Sequence, residues 1–253
     1  MKKIYLTVLT IITVLCIIFG TIYHVGPYVN RYTKFNFPFF SYGKDKIITF
    51  EQNYPSAESA NLNVDCLSVI LKTYDGEDIL VSYDGSERLK PEINVTNGEF
   101  SVKQKPLKIS KPSNVESILT ISLPKDKKMT GIDLNADMGS VDIKGIKADA
   151  ITMNLDMGSI TCDGAEANEL TVDTDMGNAE LKNVSFKDLD VSADMGRVEL
   201  ISEKSLEDYS FDCSADMGAV MINGDTVGSD YKKTGSAGDI NIDASMGSVE
   251  IHY

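Results

Sequence analysis

The chain has no tryptophan, two histidines (His24 and His252) and four cysteines in 253 residues. Zinc centres and most general acid–base chemistry draw on His and Cys, so little equipment for either is present. No G-x-S-x-G, H-E-x-x-H or C-x-x-C spacing occurs. A polysaccharide-processing enzyme built on carboxylates is the one catalytic class left, and it is disfavoured because only the connections 201–210 and 223–238 exceed a short turn. The residues point to a protein that is not an enzyme. Bases are also scarce: 24 Lys and Arg face 38 Asp and Glu, for a net charge of −14. That excludes a nucleic-acid partner, which requires a basic surface. An apolar share of 42% excludes a disordered tail.

The shortage of bases is local. Residues 1–130 carry 16 bases and 13 acids, whereas 131–253 carry 8 and 25. Residues 4–23, IYLTVLTIITVLCIIFGTIY, lack charge altogether and match the length of a membrane-spanning helix. No A-x-A cleavage pattern follows, and the Thr13-Val14-Leu15 preceding Cys16 does not fit a lipoprotein. An uncleaved single-pass anchor is expected, with residues 1–3 as a cytoplasmic tip and everything after residue 24 outside the cell membrane. Residues 24–60 read as an aromatic juxtamembrane segment and stalk. Their rings, interleaved with Arg31 and Lys34, suit either the lipid headgroup layer or packing on the folded domain.

No long amphipathic helix is visible beyond the anchor. What is there is a repeat. Met-Gly occurs at 138/139, 157/158, 176/177, 195/196, 217/218 and 246/247, at spacings of 19, 19, 19, 22 and 29. Small or apolar residues recur six, four and two positions before each Met and three and five positions after it, as in Ile132, Leu134, Ala136, Val141 and Ile143. Alternation of this kind predicts strands with one buried face, and fixed turn chemistry in every unit predicts stacking of units upon one another. The expected fold is all-β, a single-stranded β-solenoid (β-helix) of about 19-residue coils over 131–253, preceded by degenerate β-strand repeats over 61–130. In that earlier part Ile93, Val95, Gly98, Phe100 and Val102 reproduce the repeat's offsets, with Asn97 in the Met place. Further strands are expected at 62–73, 79–83 and 117–123.

Stacking aligns Asp137, Asp156, Asp175, Asp194 and Asp216, with Ser245 breaking the column at its last rung. Carboxylates about 4.8 Å apart repel, so each is expected to accept backbone N–H bonds at its turn. The alternative is a cation column suited to Ca²⁺. The six methionines are expected to point inward, filling the corner of each coil. Rotated outward, they would instead form an exposed apolar ridge for a partner. Cys66, Cys162 and Cys213 are expected to be free, buried thiols, and no cofactor is implied. Asn94 and Asn183 begin glycosylation sequons, a common chance match.

The anchor, the strand ending in Leu-Pro and the glycine turns (SILTISLPKDKKMTGIDLNADMGSVDI) together resemble the bacterial putative-adhesin family of β-strand-repeat envelope proteins, a domain of unknown function, over about residues 61–253. That family's turn more often reads Ser-Gly-Asp; here it is Asp-Met-Gly, with a Gly-Asp form at Gly238-Asp239. The resemblance implies an envelope location, some members being linked to envelope-stress sensing, and it carries over no catalytic residue. Partners consistent with the acidic repeat are a cationic peptide, a cell-wall polymer or another protein. Because the chain ends in an alternating strand, an open C-terminal edge for self-association is a further expectation.

Overall fold

The computed structural model describes residues 45–105 and 115–253. The anchor at 4–23, Cys16 and the aromatic segment up to residue 44 lie outside the described residues. Among the described residues no helix is long and apolar enough to cross a membrane. The fold is all-β and solenoid-like, as the repeat predicts: among the described residues sixteen strands form one sheet system.

Its centre is the repeat. Strands β8 (Met129–Lys144), β9 (Ala148–Asp163), β10 (Glu169–Lys182) and β11 (Asp188–Ile201) each make one coil, and all pair in parallel. Every strand bends at its Asp-Met-Gly corner into two arms. The inward positions of the first arm stack as Leu134, Met153, Val172 and Val191, and those of the second as Ile143, Cys162, Leu181 and Leu200. All eight are buried. Burial of such side chains contributes about 1.5–3 kcal/mol each, and no single coil achieves it without a neighbour.

At the first corner only glycine fits. A Cβ on Gly158 would lie 1.7 Å from the Gly139 carbonyl oxygen, and one on Gly196 would lie 1.5 Å from that of Gly177. At the second corner the chain takes a left-handed residue, Gly145, Gly164 or Asn183 (φ 65°, 67° and 51°). A short third side then runs to the next coil, burying Ile146, Ala165 and Val184.

One further coil precedes these four. β2 (Ser59–Cys66) pairs with the first arm of β8 and β3 (Ser68–Tyr74) with the second, so the expected strand at 62–73 is two strands separated by Leu67. Beyond this coil the arms diverge. The first arm is extended by the hairpin of β5 (Glu92–Thr96) and β6 (Glu99–Lys103). The second is extended by β7 (Ile118–Pro124), β4 (Ile79–Ser86) and β1 (Ile47–Tyr54). Two expectations are corrected here. Residues 47–54, read as stalk, form β1. The apparent repeat around Asn97 is an antiparallel hairpin whose turn is Asn97-Gly98, both at positive φ, as Asn-Gly turns favour.

The other end departs from chain order. β11 pairs not with the strand that follows it but with the last one, β16 (Asp239–His252). β12 (Ser210–Ala215) and β13 (Val220–Ile222) then lie on the far side of β16. The 223–238 connection folds back as β14 (Asp225–Gly228) and β15 (Asp230–Lys233), antiparallel to β13 and β12. The expected open edge at Val249–Tyr253 is therefore absent: β16 is paired on both sides. The outermost strands there are four residues long, and β15 carries Lys232 and Lys233, features that discourage edge-to-edge pairing.

Candidate functional site at the Met-Gly corner

At the corner the in–out alternation stops. Ala136 is buried, but the next two residues, Asp137 and Met138, are both exposed, because the chain is turning between arms. The same holds at Asp156 and Met157, Asp175 and Met176, Asp194 and Met195, and Asp216 and Met217, whereas Ser245 before the exposed Met246 is half-buried. The methionines are 40–76% exposed (Met138 42%, Met157 40%, Met176 44%, Met195 42%, Met246 47%, Met217 76%). The inward orientation expected for them is corrected to the outward one. They form an apolar ridge along one edge of the stack, in the spatial order Met138, Met157, Met176, Met195, Met246, Met217. Cys66, partly exposed and in register with Met138, heads the same column.

Beside the ridge runs the aspartate column, which is longer than the repeat indicates. Asp65 flanks Asp137, and the order continues through Asp156, Asp175 and Asp194 to Ser245 and then Asp216. Ser245 thus interrupts the column one rung before its end. Burial, a hydrogen bond with Asp65, and the charges of Asp65 and Asp156 raise the Asp137 pKa. Asp173, on the outer face of the first arm, is raised by burial and by the charges of Asp175, Asp194, Asp156 and Asp190. Among the described residues no backbone N–H donates to the carboxylates of Asp156, Asp175, Asp194 or Asp216. The turn is held instead by the glycines, with solvent screening the exposed carboxylates.

Bases lie elsewhere on the coils. Lys144, Lys147, Lys182 and Lys187 occupy the second corner and third side, where Lys147 pairs with Glu166 at 3.0 Å and Lys187 with Asp188 at 3.0 Å. Arg197, which follows the corner glycine Gly196, has its guanidinium engaged by Glu199 at 3.1 Å and by Glu250. Glu199, Glu250 and His252 bring ligand atoms within 4.8 Å of one another, but Arg197 already compensates this group, which makes it an ion-paired cluster on the second arm.

Among the described residues Cys66, Cys162 and Cys213 are free, as expected, but only Cys162 and Cys213 are buried; Cys66 is partly exposed. Burial pushes the Cys162 and Cys213 thiols up to about 12; burial and then the Asp65 charge push Cys66 to about 11. Away from the ridge lies an open groove of about 470 Å³ lined by Phe50, Tyr54, Lys90 and Ile93, with the Lys90 ammonium 4.8 Å from the Phe50 ring centre.

The Toastrack DUF4097 family model matches residues 59–252, which begins at the first strand of the first complete coil. The chain belongs to this family. Solved structures similar to it include a putative cell adhesion protein from Clostridium sporogenes (18% identity, 82% of this chain and 99% of that one, TM-score 0.48). A putative adhesin from Bacteroides fragilis is similar at 13% identity, 81% and 97% coverage and TM-score 0.49. A putative lipid binding protein from Parabacteroides distasonis is similar at 13%, 83% and 98%, with TM-score 0.31. No curated protein matches the chain.

Proposed function

We propose that this Toastrack protein is a non-enzymatic binding protein of the cell envelope, held outside the membrane by residues 4–23, and that its Met–Asp edge takes a cationic amphipathic peptide. The observation that carries this reading is the pairing of an exposed apolar column with a carboxylate column along one edge, where the Arg197 guanidinium is already engaged by Glu199 and Glu250. Methionine suits such a surface because its flexible thioether adapts to different apolar faces. Five rung intervals of about 4.8 Å separate Met138 from Met217. The resulting edge of about 24 Å accommodates roughly 16 residues of helix. The carboxylates steer a basic face toward the ridge and set its register.

The test is titration of the full 253-residue chain, in detergent micelles, with a synthetic Lys/Leu amphipathic peptide of about 16 residues. Affinity falls steeply as salt rises. It weakens about tenfold or more in the D156N/D175N/D194N variant, the neutralised carboxylates lying at the centre of the edge. Salt-insensitive binding, or unchanged affinity in the variant, overturns the reading.

A further inference from the structure

The ridge is apolar, but it is also a ladder of sulfur. Seven consecutive rungs place a sulfur-bearing side chain at the same corner position: Cys66, Met138, Met157, Met176, Met195, Met246 and Met217. Parallel pairing fixes the backbone interval between rungs at about 4.8 Å. A metal–sulfur bond of about 2.3 Å lets one ion join two sulfurs up to about 4.6 Å apart. The sheet therefore spaces the backbones of neighbouring ladder residues at close to the span of a two-coordinate S–metal–S unit, and methionine's three rotatable bonds let the sulfurs reach it. The ligand type selects the ion. Thioethers are neutral and soft, favour Cu(I) over hard cations, and need lose no proton to bind. The adjoining carboxylates offset the ion's positive charge from a second column without competing as soft ligands.

We infer that the ladder binds soft monovalent metal ions, Cu(I) in particular, each between thioethers of adjacent rungs at the Met157–Met176–Met195 centre. At the first rung Cys66 extends the series, its thiol releasing a proton to solvent when it joins Met138 around an ion. Peptide binding uses the ridge's apolar area, whereas metal binding uses its sulfur, so leucine in place of methionine separates the two: it keeps the area and removes the ligand.

The redox-inert mimic Ag(I) is the probe, added as nitrate in chloride-free buffer to the full chain labelled with ¹³C at the methionine methyls. The methyl signals of the six ladder methionines move and saturate, while those of the buried Met129 and Met153 stay in place. In the M157L/M176L/M195L variant, Cu(I) supplied from a colorimetric chelator is held about tenfold more weakly or worse, with the thermal midpoint retained and peptide affinity within about twofold of the parent. The C66S variant keeps the central sites. Ladder methyls that do not respond to excess Ag(I), equal Cu(I) retention in the leucine variant, or loss of all binding in C66S would each overturn the inference. Loss of peptide binding with metal binding intact sinks only the preceding reading.

Discussion

Met195 lies directly beside Met246, fifty-one residues downstream, and not beside Met217, the next methionine of the repeat. The last strand of the chain is thereby threaded between β11 and the β12–β13 pair, and Ile242 sits between Val191 and Cys213 with its side chain 1% exposed. A C-terminal strand on the outside of a stack would fray; this one cannot open without separating two interfaces. Ile242→Ala is expected to cost about 2–5 kcal/mol, the range for truncating a large aliphatic side chain in a closed core. Ile222→Ala, at a half-buried position on β13, costs less. Urea denaturation of both variants checks the order. Equal and small losses would place β16 at an edge.

The corner glycines give a second comparison. Gly158→Ala drives a methyl into the Gly139 carbonyl, at a backbone φ of 143° that other residues rarely adopt. The main chain of two coils must part to admit it. A loss well above about 1 kcal/mol is expected. Gly131, in β8 but with open space for 4 Å around the place an alanine methyl would take, tolerates that substitution to within about 0.5 kcal/mol. Thermal unfolding of the pair separates a steric requirement at the corner from a general preference for glycine in the repeat.

The raised pKa of Asp137 has a direction that can be tested. An acid whose pKa is higher in the fold than in the unfolded chain opposes folding once it ionises. Below the ordinary Asp range both states hold the proton and the residue is neutral in its effect; as pH rises through the unfolded and then the folded value, stability is lost and stays lost at neutrality. Asp137→Asn removes this penalty while retaining a partner for Asp65. Its melting temperature should exceed the parent's at neutral pH, by the equivalent of about 1 kcal/mol or less given the residue's exposure, and the gain should vanish near pH ~3. A gain of the same size at both pH values would assign the effect to packing and not to charge.

The fold class is legible in the sequence because periodicity is a direct imprint of burial: positions at −6, −4, −2, +3 and +5 from each Met are the ones the structure buries, with Ile222, five after Met217, half-buried. Neighbour order is illegible for the same reason. Every coil offers an identical face, so nothing local tells β11 to pair with β16 in preference to β12; the widened spacings of 22 and 29 are the visible trace of that rearrangement. Parity carried through a bend turns the methionines the wrong way, because two successive residues face solvent there. The first coil is hidden because Cys66 and Leu67 replace the Met-Gly pair, and with it go the first sulfur of the ladder and Asp65 of the acidic column.

Thiol chemistry offers the last test, and it reports on the stack from end to end. A thiol reacts as its thiolate, so a pKa pushed up to about 12 by burial makes Cys162 and Cys213 inert while their coils are closed. Cys66, partly exposed and pushed to about 11, reacts slowly but without any opening of the fold. With iodoacetamide at pH ~8, modification of Cys66 should come first and rise about tenfold per pH unit. Cys162 and Cys213 should be labelled only as fast as their coils open, so that Gly158→Ala accelerates Cys162, the residue five positions after Met157 on the damaged coil, more than Cys213 beyond β16. Peptide mass mapping of a labelling time course measures all three sites at once. Equal acceleration of Cys162 and Cys213 would mean that the coils open as one cooperative unit; a difference would show that stability in this solenoid is held coil by coil.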